Sequence, residues 1–293
     1  MGADSRIAVV TSDMGIERDE ELPTLLAALR ERGADAEAVV WDADPGTWGR
    51  FDLAVIRSTW DYTGRLEEFL TWADTAAKAT RLWNPAATVR WNSDKHYLRD
   101  LAERGVPVVP TRFLEPGGQY TEADVDGADG VVVKPSVSVA ARDTARYEPG
   151  RAADALGHAR MLLEQGRGVL VQPYLHRVAE GERALVFFSG VFSHAIRKGP
   201  LLTEPGVIDN ARIPHPSVVP YEPTEAELRT ARAALAATPS AEPPLFARVD
   251  LALDGAGEPV LMELELIEPY LFLDRSPGAV ERFAGAVAGL GRG

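Results

Sequence analysis

Arg248, Asp250, Glu263 and Glu265 are spaced so that a guanidinium and three carboxylates could share one surface. The cluster Asp254-Gly-Ala-Gly-Glu258 reads as a turn between two apolar-rich runs, residues 245–253 and 259–267, and so predicts an antiparallel hairpin. Side chains two apart on a strand share a face. An even-length loop over residues 255–258 would set Asp250 opposite Glu263 and Arg248 opposite Glu265, with Leu264 and Leu266 on the other side. Crowded carboxylates require a cation, and hard oxygen donors without imidazole suit Mg²⁺ bridging a substrate's phosphates. The alternative is an amphipathic hairpin whose polar face meets water. Lys134 closes the run Gly130-Val-Val-Val-Lys134-Pro135, where burying an ammonium is costly without an anion. The hydroxyls of Ser136, Ser138 and Thr144 that follow it would add donors to a phosphate, unless Lys134 simply snorkels to solvent. Neither a Walker A motif nor a dinucleotide glycine fingerprint occurs in the chain, so a nucleotide would need another scaffold.

The elements that must position these groups follow from apolar periodicity. Residues 7–10, 38–41 and 53–56 are short apolar runs, and Leu22, Leu25, Leu26 and Leu29 mark a helix that stops at Gly33. The first ~90 residues therefore predict an open parallel α/β sheet, whose functional groups gather beyond the strand ends. That position singles out Asp13 and the run Arg57-Ser58-Thr59-Trp60-Asp61-Tyr62, in which Arg57 would anchor a carboxylate or carbonyl of a small polar substrate. The plainer reading of Arg57 and Asp61 is a solvated ion pair.

From Asp94 a helix carrying Tyr97, Leu98 and Leu101 ends at Gly105, and strands over residues 130–135 and 169–172 complete a small α+β unit. Strands over 183–188 and 191–197, the hairpin and a helix over 225–237 form a second, with a Pro-rich excursion over 203–219. His194 alternates with apolar side chains and reads as a buried strand residue. The expected divisions are 1–93, 94–173 and 174–293.

In all 293 residues, 31 Lys and Arg against 44 Asp and Glu leave a formal charge of −13, so no general field attracts nucleic acid or an anionic membrane and any phosphate site is local. The absence of Cys excludes disulfides, thiolate catalysis and iron–sulfur clusters, and suits a reducing, cytoplasmic setting. No run approaches the ~18 apolar residues of a membrane span, the opening apolar run is too short for a signal peptide, and Arg6 breaks the myristoylation pattern. A homodimer is compatible with the sequence, which does not set the oligomeric state.

The order Lys95, Val-Val-Lys134-Pro135, Val171-Gln172-Pro173-Tyr174-Leu175, Glu180-Gly-Glu182-Arg183, Arg248-Val-Asp250 and Met262-Glu263-Leu-Glu265 resembles the ATP-grasp ligase superfamily over nearly the whole chain. The resemblance implies an N-terminal open α/β domain with two α+β units clamping ATP. It implies Lys95, Lys134 and Ser136 at the phosphates, Gln172, Pro173, Tyr174 and Leu175 at adenine, Glu180 at the ribose, and Asp250, Glu263 and Glu265 as Mg²⁺ ligands. The superfamily commonly ends its metal motif in Glu-x-Asn where this chain has Glu263-Leu-Glu265, and its phosphate-covering loops carry glycine where this chain has Val139-Ala140.

Residues 57–62, Trp91-Asn-Ser-Asp-Lys95 and Ser193-His-Ala-Ile-Arg-Lys198 resemble, within that superfamily, the O-ureido-serine cyclo-ligases of cycloserine biosynthesis. That likeness implies ATP-driven conversion of a substrate carboxylate to an acyl phosphate, closed into a ring by a nitrogen of the same molecule. Lys198, Arg197, Arg212 and Arg248 are the cations available to the transferring phosphoryl group, and Asp13, Arg57, Ser58, Asp61 and Tyr62 would face the amino-acid-like substrate. The rival readings are an intermolecular carboxylate–amine ligase and a nucleotide-binding protein without turnover.

Overall fold

Strands buried on both faces organise the first part of the chain. The computed structural model describes residues 5–211 and 217–290. β1 (Arg6–Thr11), β2 (Asp35–Val40), β3 (Leu53–Ser58) and β4 (Arg81–Trp83) form a parallel sheet in the order β2-β1-β3-β4. Period-two alternation sends Ile7, Val9 and Val55 to one face and Ala8, Val10, Ala54 and Ile56 to the other. α1 (Asp13–Arg18) is capped by the Ser12 hydroxyl, which accepts from Gly15 N. Leu22, Leu25 and Leu29 of α2 (Leu22–Glu31) cover the first face, and Phe69, Trp72 and Ala76 of α3 (Leu66–Ala79) cover the second.

α4 (Ala86–Asn92) and α5 (Tyr97–Glu103) lead to the second sheet: β5 (Arg112–Leu114), β6 (Val131–Pro135), β7 (Ala145–Tyr147) and β8 (Val169–Pro173), antiparallel in the order β5-β8-β6-β7. Val131 and Val133 pack on Ala155, Ala159 and Leu162 of α6 (Ala152–Glu164), which turns Val132 and Lys134 to the opposite face. The third sheet comprises β9 (Glu182–Phe188), β10 (Val191–Lys198), β11 (Val218–Tyr221), β12 (Phe246–Leu253) and β13 (Pro259–Glu265), antiparallel in the order β11-β10-β9-β12-β13. Ala247, Val249, Leu251 and Leu264 pack on Ala231, Ala234 and Leu235 of α7 (Glu225–Ala236). α8 (Ala279–Leu290) crosses back to the first sheet, where Phe283 and Val287 share a core with Leu25, Leu29 and Phe246. Among the described residues no helix is long and apolar enough to cross a membrane.

Arg57 ties these parts together. It is only 1% exposed. Its guanidinium donates to Glu21 and to the Pro269 carbonyl and lies 3.6 Å from Asp19, while Glu21 also accepts from the backbone N–H groups of Leu271 and Leu273. The expected substrate anchor is therefore a buried structural group. β3 runs on through Arg57 and Ser58 to the end of its buried stretch, so the side chain meets acids of the α1–α2 connection before it reaches any cleft. Ser58 is likewise internal, with Thr11 Oγ1 at 2.8 Å and its carbonyl accepting from Ser12 Oγ, and Asp13 is exposed at the start of α1. Arg57→Ala should strand two buried carboxylates and lower unfolding stability by about 3–5 kcal/mol. Urea denaturation should show the midpoint falling at an unchanged slope.

Candidate active site

The hairpin sets the site's floor. β12 and β13 pair Arg248 with Glu265 and Asp250 with Glu263, the expected register reached by another route. The connection is residues 254–258, an odd number, and the pairing shifts by one beyond Asp250, leaving Met262 as the extra residue of a bulge. An odd loop and a one-residue bulge together restore the parity that an even loop would give. Beside this pair, β9 and β10 match Glu182 with Lys198, so acids and bases of four strands share one face.

Asp250 is the most tightly held of them. Arg248 donates Nε to Oδ1 at 3.0 Å and Nη2 to Oδ2 at 3.1 Å, and Lys198 Nζ donates to Oδ2 at 2.5 Å. Burial favours the neutral acid, but these two cations outweigh it and hold the Asp250 carboxyl well below the usual range. Arg248 also donates to Glu265 and to the Tyr270 carbonyl, and Lys198 lies 3.1 Å from Glu182. Glu263 pairs with Lys95 at 3.1 Å; burial opposes its ionisation, yet Lys95 and Lys134 lower its pKa. Burial, with Glu263 and Asp250 nearby, pushes Glu265 up to about 7 despite Arg248. The three acids share a face without forming a metal cage: among the described residues no group of three or more His, Cys, Asp or Glu is placed to hold one ion. Asp250 is taken by Arg248 and Lys198. What the arrangement offers a hard cation is Glu263 and Glu265 facing open volume, which suits Mg²⁺ completed by phosphate oxygens rather than by protein alone.

That volume is a cavity of about 1040 Å³ between the second and third sheets and the loop after β3. Lys134 enters it and, among the described residues, makes no hydrogen bond or ion pair. Burial and Lys95 lower its pKa, against the pull of Glu263. Gln172, Pro173, Tyr174 and Leu175 line one wall, Gln172 being fixed by donating Nε2 to Thr111 Oγ1 at 2.9 Å. Asp61 and Tyr62 line the opposite end, where Trp41 Nε1 donates to Asp61.

Several expected residues stand elsewhere. Ser136 turns its hydroxyl to Asp94 at 3.1 Å, and Ser138, whose carbonyl accepts from Lys95, faces the cavity in its place. Glu180 is exposed and engaged by Arg177 at 2.7 Å; Glu182, two residues on and inside the strand, is the carboxylate on the cavity wall. Arg197 is exposed because strand alternation gives the inward position to Lys198, and it lies over the Tyr221 ring. His194 is buried, its Nε2 2.8 Å from the Leu271 carbonyl, and Arg212 lies outside the described residues. Sequence reasoning passed over Asn84 and Asn92. Both are buried amides that bridge to backbone groups of β12 and of the chain at and just past the end of β13, and a lone Asn has no spacing signal. In the loop after β6, Ala140 and Ala141 adopt φ of 53° and 54°, so this cover has a glycine-type backbone without glycine's freedom.

Three sheets around one cavity, with this order of lysines and acids, define an ATP-grasp ligase. An ATP-grasp RimK domain protein from Sphaerobacter thermophilus DSM 20745 superposes with a TM-score of 0.68 at 21% identity, over 97% of this chain and 98% of that one. Other proteins of the fold have been solved with ATP and with Mg²⁺ and ADP. The crystal structure of D-cycloserine synthetase DcsG superposes with a TM-score of 0.90 at 36% identity, covering 98% of this chain and 99% of that one. Residues 7–84 match the family described as D-cycloserine synthetase DcsG, N-terminal domain. The cycloserine biosynthesis protein DcsG of Streptomyces lavendulae is 37% identical over 96% of this chain and 97% of its own. The chain belongs to the DcsG family.

Replacing Lys134 by Met should weaken nucleotide binding ten-fold or more, since a charge-assisted contact is worth about 1.5–3 kcal/mol. Because the ammonium has no partner among the described residues, the same variant should melt no lower than the parent. Calorimetric titration with nucleotide and a thermal scan check both.

A second expectation concerns His96, next to Lys95. Its Nδ1 lies 2.5 Å from Asp94 and its Nε2 2.7 Å from Glu115. Burial works against the imidazolium, but Asp94 and Glu115 outweigh it and the pKa is raised. Its contribution to stability is therefore full below the unfolded value of about 6.5 and is lost as pH rises through the higher folded value. In denaturation series the stability gap between parent and His96→Gln should shrink as pH is raised.

Proposed function

We propose that the chain uses ATP to convert the carboxylate of O-ureido-D-serine to an acyl phosphate, which a nitrogen of the same molecule attacks to close the ring of D-cycloserine. The observation that carries this reading is one continuous cavity joining the ammonium of Lys134, which has no partner among the described residues, to Trp60, Asp61 and Tyr62, residues within the stretch that matches the family's N-terminal domain. The nucleotide lies along Gln172–Leu175, with Lys134 and Lys95 at its phosphates and Glu182 at its ribose. Glu263 and Glu265 hold Mg²⁺, with Asp250 behind them fixing Arg248 and Lys198. The ion neutralises phosphate charge. Lys198 and Arg248 face the transferring phosphoryl group, and Asp61 and Tyr62 meet the amino-acid-like substrate. The divisions 1–93, 94–173 and 174–293 belong to the same proposal, one sheet to each.

Chemically, the carboxylate oxygen takes the γ-phosphoryl group and ADP leaves. Nitrogen then bonds to the acyl carbon, the carbon–oxygen bond to phosphate breaks, and inorganic phosphate departs. O-ureido-D-serine carries a carbamoyl group that D-cycloserine lacks, so water must release it as carbamate. With ATP, Mg²⁺ and O-ureido-D-serine as sole organic substrate, ADP, phosphate and D-cycloserine should appear in equal amounts. ADP formed only after a second amine is added would replace this reading with intermolecular ligation. No ADP under either condition would leave a nucleotide-binding protein.

A further inference from the structure

Glu268 has no task in the chemistry above. It follows β13 by three residues and is 9% exposed, yet it faces the cavity. Its backbone carbonyl accepts from Trp60 Nε1 at 3.2 Å, which fixes the main chain there. Its carboxyl group makes no hydrogen bond or ion pair among the described residues. That contrasts with Asp250, Glu263 and Glu265 on the same cavity, each of which is held by an arginine or lysine. A buried acid is expensive to leave without a donor, so a group in this condition at a ligand cavity is expected to meet its partner on the ligand. Its place is also informative. Glu268 lies at the junction between the metal-facing acids of β13 and residues 60–62 of the substrate end.

Building on the function proposed above, we propose that Glu268 is the general base of ring closure, taking the proton from the substrate nitrogen as that nitrogen bonds to the acyl carbon. The step balances: the N–C bond forms, the C–O bond to phosphate breaks, phosphate carries off its electron pair, and the N–H proton passes to a Glu268 oxygen. The facing groups fit the role. Burial, with Glu265 and Glu263 of β13 adding like charge, pushes the Glu268 carboxyl up to about 8, while Lys95 and Arg248 pull it down; Tyr62 is the other titratable group that senses it. A base with a pKa close to the working pH is the efficient kind.

Hydroxylamine separates the two halves of the reaction, because it is a free nucleophile that captures an acyl phosphate as a hydroxamate without help from a protein base. Glu268→Gln should bind ATP like the parent in calorimetry and give hydroxamate within a few-fold of the parental rate. Its D-cycloserine formation should fall by about 10²–10⁴-fold, the usual contribution of a general base. The parent's cyclisation rate should climb with pH towards about 8, and that limb should vanish in Glu268→Gln. Glu268→Asp should recover part of the rate. Unimpaired cyclisation by Glu268→Gln would overturn the assignment. So would equal loss of hydroxamate and ring product, or a raised KM at unchanged kcat, since either places Glu268 in binding or activation. If the parent itself forms no hydroxamate from O-ureido-D-serine, the proposed substrate falls and this role falls with it, a result readable before any variant is made.

Discussion

The grip of Arg248 and Lys198 on Asp250 is the contact on which the cavity floor depends. Three charged groups sit there almost without water, and each is tolerable only because the others are present. Arg248 uses its remaining donors on Glu265 and the Tyr270 carbonyl, and Lys198 reaches Glu182, so one carboxylate indirectly orients two more acids and a loop. The charges of this face are thereby matched in advance. Among the described residues, only the Lys134 ammonium and the Glu268 carboxyl of this cavity's acids and lysines are left without a hydrogen bond or ion pair, and on the proposals above a ligand supplies an anion to the first and a proton to the second.

The floor is also held from behind. β13 is the outer strand of its sheet, and an outer strand ordinarily offers unpaired backbone groups. Here the Tyr97 hydroxyl accepts from Leu264 N, and Asn92 and Asn84 make amide contacts to Leu264, Leu266, Phe246 and Leu245. Glu263 and Glu265 therefore project from a strand clamped on both edges, the rigid support that a site needs if its geometry is to persist between ligands.

How far this was legible in the sequence differs residue by residue. The hairpin face could be read because strand parity is local, and a wrong guess about loop length was cancelled by the Met262 bulge. Lys134 could be read because three valines before it announce a buried strand. Arg57 could not, since its partners Asp19, Glu21 and Pro269 are brought to it by tertiary folding alone. The resemblance favoured Glu180 for the ribose, but β9 begins at Glu182, which leaves Glu180 outside the strand and puts Glu182 on the cavity wall. Ser136 was displaced by Asp94, 42 positions earlier. The helices α3, α6 and α8 escaped notice, although Phe69, Ala73 and Ala76 of α3 and Phe283 and Val287 of α8 recur at helical spacing and each of these two helices closes a face of the first sheet.

The return of α8 to the first sheet bears on how such a chain is made. On a ribosome β1, α2, β2 and β3 emerge early, but the leucines of α2 find Phe283 and Val287 only after more than two hundred further residues have been added. Glu21 likewise waits for the amides of Leu271 and Leu273. The α2 side of the amino-terminal sheet is thus only partly covered until α8 arrives, at an elongation pace of about 5–20 residues per second. For those seconds part of that apolar core has no cover, and the first sheet is completed only after α8 has been made.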